Sequence, residues 1–215
     1  MKTLNFLISQ RIDALYGKPT DVLESDYTKF YNSLGINIYP VSNFSKDLKD
    51  DLANIEYNGL ILSGGGDLGG HPERDRTCSF LIDRMMTEKL PVIGICYGMH
   101  LLNHYFGGEL TVDVHKDEKD RRKPGIDHEI VIEKGYFSYS GNHPVNHYHN
   151  HGIREEGLAD CLEIFAMDKD FDVVEGIIHE NLPIFAIQWH PERVSPEPEL
   201  NEGLIKEFLE SGGSR

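Results

Sequence analysis

The sequence predicts an α/β protein: a mixed, mainly parallel sheet flanked by helices, with an antiparallel extension in its second half. Two observations carry that expectation. Through the first half, short apolar runs alternate with helical patterns, as in a sheet covered on both faces by crossover helices. After "GGELTVDV" (107–114) the runs "HEIVIE", "LEIFAMD", "VVEGIIHE" and "LPIFAIQWH" follow closely with turns between them, so antiparallel strands are expected there.

The elements follow in order. "LNFLIS" (4–9) is the first strand, and a helix runs through "VLESDYTKFYNSLG" (22–35), closed by Gly35. "INIYPVS" (36–42) is the second strand. "NGLILSGGGD" (58–67) is a strand running into glycines, "SFLIDRMMTEK" (79–89) is helical, and "LPVIGIC" (90–96) is the central, fully buried strand. "YGMHLLNHYF" is a helix ended by Gly107 and Gly108, and the last helix is "PELNEGLIKEFLES" (198–211). The charged, proline-broken "HKDEKDRRKPGID" (115–127) reads as a mobile surface loop. No composition break divides the chain, so residues 1–210 are read as one domain and 211–215 as a disordered tail. "HPER" occurs at His71 and again at His190, which is read as chance.

A formal charge of −15 opposes any sequence-independent grip on nucleic acid or an anionic membrane. No apolar run is long enough to span a bilayer, and "MKTLNFLISQ" turns polar too soon for a signal peptide, which points to the cytoplasm. Cys78, Cys96 and Cys161 are widely spaced and odd in number. They make no disulfide framework and suit a reducing compartment.

The chemistry is concentrated at "GICYG". A cysteine between a buried strand and a helix, with glycines on both sides, has the form of a nucleophile elbow. The helix start aims backbone N–H groups at the sulfur, and the Tyr97 N–H is one candidate oxyanion donor. A second donor is expected from "SGGGD", at Gly65 or Gly66, because that loop leaves a neighbouring parallel strand. "IFAIQWHPER" supplies His190 at a strand end as the base and Glu192, one proline later, as its orienting carboxylate.

"GGGD", "LPVIGICYGMHLLNHYFGGELTVDV", "VNHYHNHGI" and "IFAIQWHPE" stand in the order found in the class I glutamine amidotransferase-like superfamily. Over residues 58–194 the chain resembles most its γ-glutamyl hydrolase branch, which includes γ-glutamyl-γ-aminobutyrate hydrolases. "RDRTCSFLI" is similar to that branch's helix start, at Arg74 and Asp75. The resemblance implies a flavodoxin-like sheet, a triad of Cys96, His190 and Glu192, and hydrolysis of a small γ-glutamyl amide through a thioester, with no metal or organic cofactor.

Departures from the superfamily pattern bear on substrate. His100 stands where free-glutamine enzymes usually carry glutamine, and in "VNHYHNH" Asn146, Tyr148 and His149 match while His147 replaces serine and His151 replaces glutamine. Imidazoles and cations there would suit a more anionic ligand, with Arg74, Arg76 and the basic part of 116–123 as further contacts. The pattern resembles the capsule-biosynthetic γ-glutamyl-CDP-amidate hydrolases, which makes a nucleotide phosphoramidate the leading substrate. γ-Glutamyl-γ-aminobutyrate, or glutamine in the glutaminase component of a synthetase, are the other enzymatic readings. A non-enzymatic alternative is a metal-binding module, since His147, His149 and His151 would share one face if their segment were a strand. Homo-oligomerisation is left open.

Overall fold

The computed structural model describes residues 3–114 and 123–212. Most of the 116–123 loop and residues 213–215 therefore lie outside the described residues. Among the described residues eleven strands are formed: β1 (Leu4–Ile8), β2 (Arg11–Leu15), β3 (Lys18–Val22), β4 (Ile36–Pro40), β5 (Gly59–Leu62), β6 (Val92–Ile95), β7 (His128–Ile132), β8 (Gly141–Val145), β9 (Leu162–Asp168), β10 (Val174–His179) and β11 (Ile184–Ile187). The α-helices are α1 (Ser25–Ser33), α2 (Leu48–Asp51), α3 (Pro72–Glu88), α4 (Tyr97–Tyr105) and α5 (Pro198–Glu210). Nine strands make one sheet in the order β4-β1-β5-β6-β11-β10-β9-β7-β8. Its first five strands are parallel, and the pairs from β11 to β8 are antiparallel.

The inner parallel strands β5, β6 and β11 are buried throughout, and the alternating side chains of the parallel strands serve two cores. Phe6 and Ile8 of β1, Ile61 of β5, and Ile93 and Ile95 of β6 face α1 and α5, where Tyr27, Tyr31, Leu204 and Phe208 meet them. Leu7, Leu60, Leu62 and Val92 face the other way, against Leu81, Ile82 and Met85 of α3 and Met99 and Leu102 of α4. The C-terminal ends of β5, β6 and β11 therefore open at one edge, where ligands bind in such sheets.

Helix α2 and strand β8 lie outside the sequence reading, and three further differences have local causes. The hairpin β2–β3 was not expected, because "RIDALYGKPTDV" carries charges and a proline. Its signal is the two-residue turn Tyr16–Gly17, both at positive φ (51° and 73°) between the partners Leu15 and Lys18. The helix expected from residue 79 begins at Pro72, since proline is well placed in a first helical turn. Strand β8 ends at Val145, and residues 146–151 are irregular. His147, His149 and His151 therefore do not share a strand face.

Candidate active site

Strand β6 leads into Cys96, which stands at φ 50°, ψ −100° just before α4. An L residue held there costs on the order of 1–3 kcal/mol and persists only where its surroundings impose it. Sheet and helix impose it together. The Cys96 N–H donates to the Ile187 carbonyl at 2.8 Å, and the Cys96 carbonyl accepts from the His100 N–H at 3.1 Å. Gly98 allows α4 to lie this close, because a Cβ on it would stand 2.3 Å from the Leu62 carbonyl oxygen.

Strand β11 brings His190 alongside. Asn146 clamps its backbone: the side-chain amide donates to the His190 carbonyl at 2.8 Å and accepts from the His190 N–H at 2.9 Å. A third bond, to the Val194 carbonyl at 3.1 Å, ties down the chain beyond. His190 Nδ1 lies 2.6 Å from Glu192 Oε1, and both side chains are buried. Burial alone would lower the pKa of His190, but the charge of Glu192 and hydrogen bonding with Cys96 and Glu192 outweigh it and push it up to about 9. At neutral pH the imidazole thus holds a proton between a carboxylate and a sulfur. Burial, and then the charge of Glu192, raise the phenols of Tyr27 and Tyr31 well above their usual range, so the carboxylate faces neutral hydroxyls.

The glycine loop completes the group. Gly64 has no room for a side chain, since its Cβ would stand 2.5 Å from His190 Cε1, and its N–H donates to the Tyr27 hydroxyl at 2.7 Å. Gly65 and Gly66, at φ +80° and +75°, follow as pocket lining. The cavity, about 130 Å³, is further lined by Asp67, Cys96, His100, Tyr148, His149, Asn150, His151, His190 and Arg193.

The sequence profile described as "Glutamine amidotransferase class-I" matches residues 28–210. The chain belongs to this family. The chain is 29% identical over 180 residues to a glutamine-hydrolyzing GMP synthase component of Methanocaldococcus jannaschii, covering 84% of this chain and 87% of that one. It is 29% identical over 175 residues to the carbamoyl phosphate synthase small chain of Aquifex aeolicus, covering 76% of this chain but only 40% of that relative. Among solved structures, the glutaminase domain of Trypanosoma brucei CTPS with bound acivicin has the same fold, with a TM-score of 0.71 at 14% identity over 98% of this chain and 94% of that one. These relatives are components and domains of synthases and do not single out the γ-glutamyl hydrolase branch.

In this chain several residues expected to bind substrate have other neighbours. Arg74 lies beneath the glycine loop: its guanidinium donates to the carbonyls of Ser63 (2.7 Å), Gly64 (3.2 Å) and Gly65 and stacks 3.6 Å from the Tyr97 ring centroid. It is buried, and its terminal nitrogens are taken up by these carbonyls and the Ser63 hydroxyl (3.3 Å), so it holds the loop in shape. Arg76 is exposed on α3, outside the cavity lining. Asn146 is the His190 clamp, and His147 is buried against the rings of His128 and His149. His100 lines the cavity with Nε2 2.7 Å from Gln188 Oε1. Burial lowers its pKa to about 3, helped by His149 and His151 against the opposing pull of Gln188 and Glu175, so it is a neutral donor and brings no charge. Tyr148 and His149 line the pocket, as does His151, whose Nε2 stands 3.4 Å from Asp67 Oδ1. Sequence reasoning missed Tyr27, Gln188 and Arg193. The guanidinium of Arg193 lies over the Tyr148 ring at 4.5 Å and donates to Glu24 at 3.1 Å.

Proposed function

We propose that the chain is a cysteine-dependent hydrolase of γ-glutamyl amides, and the observation that carries this is the strained Cys96 beside His190, whose Nδ1 is held by Glu192 at 2.6 Å. Cys96 sulfur attacks the γ-carbonyl, and the oxyanion is received by the N–H of Tyr97 and that of Gly65 or Gly66. The His190 proton passes to the departing nitrogen, leaving a γ-glutamyl thioester. Neutral His190 then takes a proton from water as its oxygen attacks the thioester carbonyl. Glutamate leaves, and the pair regains its single proton.

The leaving group is read from the cavity's size and rim. About 130 Å³ is well below the ~300–1,000 Å³ of pockets that enclose drug-sized ligands, so it suits a glutamyl group and leaves the nitrogen substituent at the mouth. There Tyr148, 37% exposed, presents a ring beneath the Arg193 guanidinium, and Arg11 Cδ would lie 3.1 Å from a Cβ on Gly65. A ring and two guanidiniums suit a base and its phosphates. This supports the nucleotide γ-glutamyl phosphoramidate, γ-glutamyl-CDP-amidate, as leading substrate over γ-glutamyl-γ-aminobutyrate. The second reading is the glutaminase component of a synthetase, favoured by the similarity to the Methanocaldococcus jannaschii GMP synthase component over most of both chains.

Glutamate release from glutamine, γ-glutamyl-γ-aminobutyrate and γ-glutamyl-CDP-amidate tests both levels. The nucleotide substrate is expected to show the highest kcat/KM, with a γ-glutamyl adduct on Cys96 trapped by mass spectrometry in a slow-deacylating variant. Preference for glutamine would move the assignment to the glutaminase reading. Turnover by Cys96→Ala at the wild-type rate would remove the mechanism itself.

A further inference from the structure

On the antiparallel side of the sheet, β7, β9 and β10 bring three metal-ligating side chains to one buried point outside the thiol chemistry. His128 Nε2 lies 3.3 Å from Glu175 Oε1 and 3.6 Å from Asp168 Oδ2. The donor atoms of all three residues fall within 4.8 Å of one another, and their side chains are at most 2% exposed. Two more imidazoles close around them. His149 Nε2 is 3.5 Å from the same Glu175 oxygen, and the His147 ring lies 5.5 Å from that of His128 and 4.2 Å from that of His149.

A fully buried carboxylate such as that of Glu175 is costly without compensation. Hydrogen bonds do not compensate the central pair, because neither oxygen of the Glu175 carboxylate and neither nitrogen of His128 makes a bond of normal geometry. The separations instead match the edges of a coordination tetrahedron: metal–ligand bonds of about 2.0–2.2 Å place donor atoms about 3.3–3.6 Å apart. The Asp168 carboxylate is already oriented, since Oδ1 accepts from the N–H groups of Asp170 (2.9 Å) and Phe171 (3.2 Å) while Oδ2 faces His128. Ligands of metal sites are held in this way by backbone partners.

We propose that His128, Asp168 and Glu175 form a buried site for a divalent transition ion, zinc foremost, with His149 as the nearest fourth ligand. A mixed imidazole–carboxylate set suits zinc and its borderline neighbours better than magnesium or calcium, which take oxygen ligands. The ion ties β7, β9 and β10 together, and through His149 it reaches the wall of the catalytic cavity.

The test is metal content and zinc response of the full chain. Protein produced with added zinc is expected to keep about one zinc per chain through dialysis, and the chelator-treated protein to gain roughly 5 °C or more in Tm on addition of ZnCl2. Cobalt in place of zinc should give the visible absorption of a tetrahedral site. His128→Asn and Asp168→Asn should lose both metal and Tm response, while Cys96→Ala and His151→Asn keep them. Zinc far below one per chain in the wild type with no Tm response, or zinc retained unchanged in both cluster variants, overturns the proposal. The wild-type titration decides even where a cluster variant fails to fold.

Discussion

His190 decides most at the scale of single residues. Its pKa is raised from 6.5 to about 9, so the folded state binds a proton that the unfolded chain releases near neutrality. The resulting stabilisation is fully present below about pH 6.5 and is lost as pH rises through about 9. In the proposed reaction the same proton goes to the leaving nitrogen, so kcat/KM is expected to fall on the alkaline side near pH 9, with a constant that belongs to the Cys96–His190 pair. Glu192→Gln removes the largest influence holding that proton, and the alkaline limb should then move toward neutrality in a pH–rate profile. An unmoved limb would deny Glu192 this role. Among the cysteines, Cys96→Ala should lose about 10⁴-fold or more in rate. Cys78→Ala, at a fully buried site, should lower Tm through lost packing yet keep the rate per folded molecule. The triad residues are legible in the sequence because elbow and His-Pro-Glu are local patterns. The Asn146 clamp is not, because it acts 44 residues away.

At the scale of elements, the start of α3 is coupled to both sides of the proposed oxyanion site. Arg74 grips the carbonyls of the glycine loop and lies on Tyr97, while Asp75 Oδ1 accepts from the Tyr97 hydroxyl at 2.5 Å and Asp75 Oδ2 from the Gly69 N–H at 2.9 Å. The "HPER" that opens α3 therefore shapes the loop through its arginine, and the second "HPER" carries the base. Arg74→Lys cannot reproduce the planar fork. It is expected to lower kcat about tenfold to a hundredfold with little change in KM, because misaligned oxyanion donors are felt in the transition state. Steady-state kinetics check this, and a pure KM effect would point to substrate contact instead. Gly98→Ala drives a methyl group into backbone at the α4–β5 contact. It should destabilise the fold by about 3 kcal/mol, read as a drop in the denaturant midpoint.

Over the whole molecule, the mouth is assembled from three distant parts of the chain: Arg11 on β2, Glu24 before α1, and Tyr148 with Arg193 from the second half. Glu24 accepts from both arginines, and Asp13 also holds Arg11 at 2.8 Å. A leaving group bearing phosphates would compete with these carboxylates for the guanidiniums. Removing one charge-assisted contact of about 1.5–3 kcal/mol corresponds to roughly tenfold to a hundredfold in binding. Arg193→Ala should therefore impair the nucleotide substrate by that factor while changing glutamine hydrolysis less than about threefold, and added salt should weaken the same substrate selectively. Equal losses on all substrates would take Arg193 out of leaving-group recognition.

The sequence by itself determined most strands of the main sheet and its longer helices, the elbow at Cys96, the glycine loop and the His190–Glu192 spacing, because these rest on hydrophobic period, glycine placement and short spacings. Only the tertiary structure decided what the remaining polar residues face. Arg74, expected at the ligand, turns to three backbone carbonyls. His100 turns to Gln188, 88 residues away, and is neutral through burial. His147 and His149 enter a buried group with His128, Asp168 and Glu175. The register of β7 on β9 and of β9 on β10 brings those last three residues together. The physical reason is that backbone conformation responds to neighbours in sequence, whereas the charge and partners of a buried side chain are set by residues that the folded sheet brings from far along the chain.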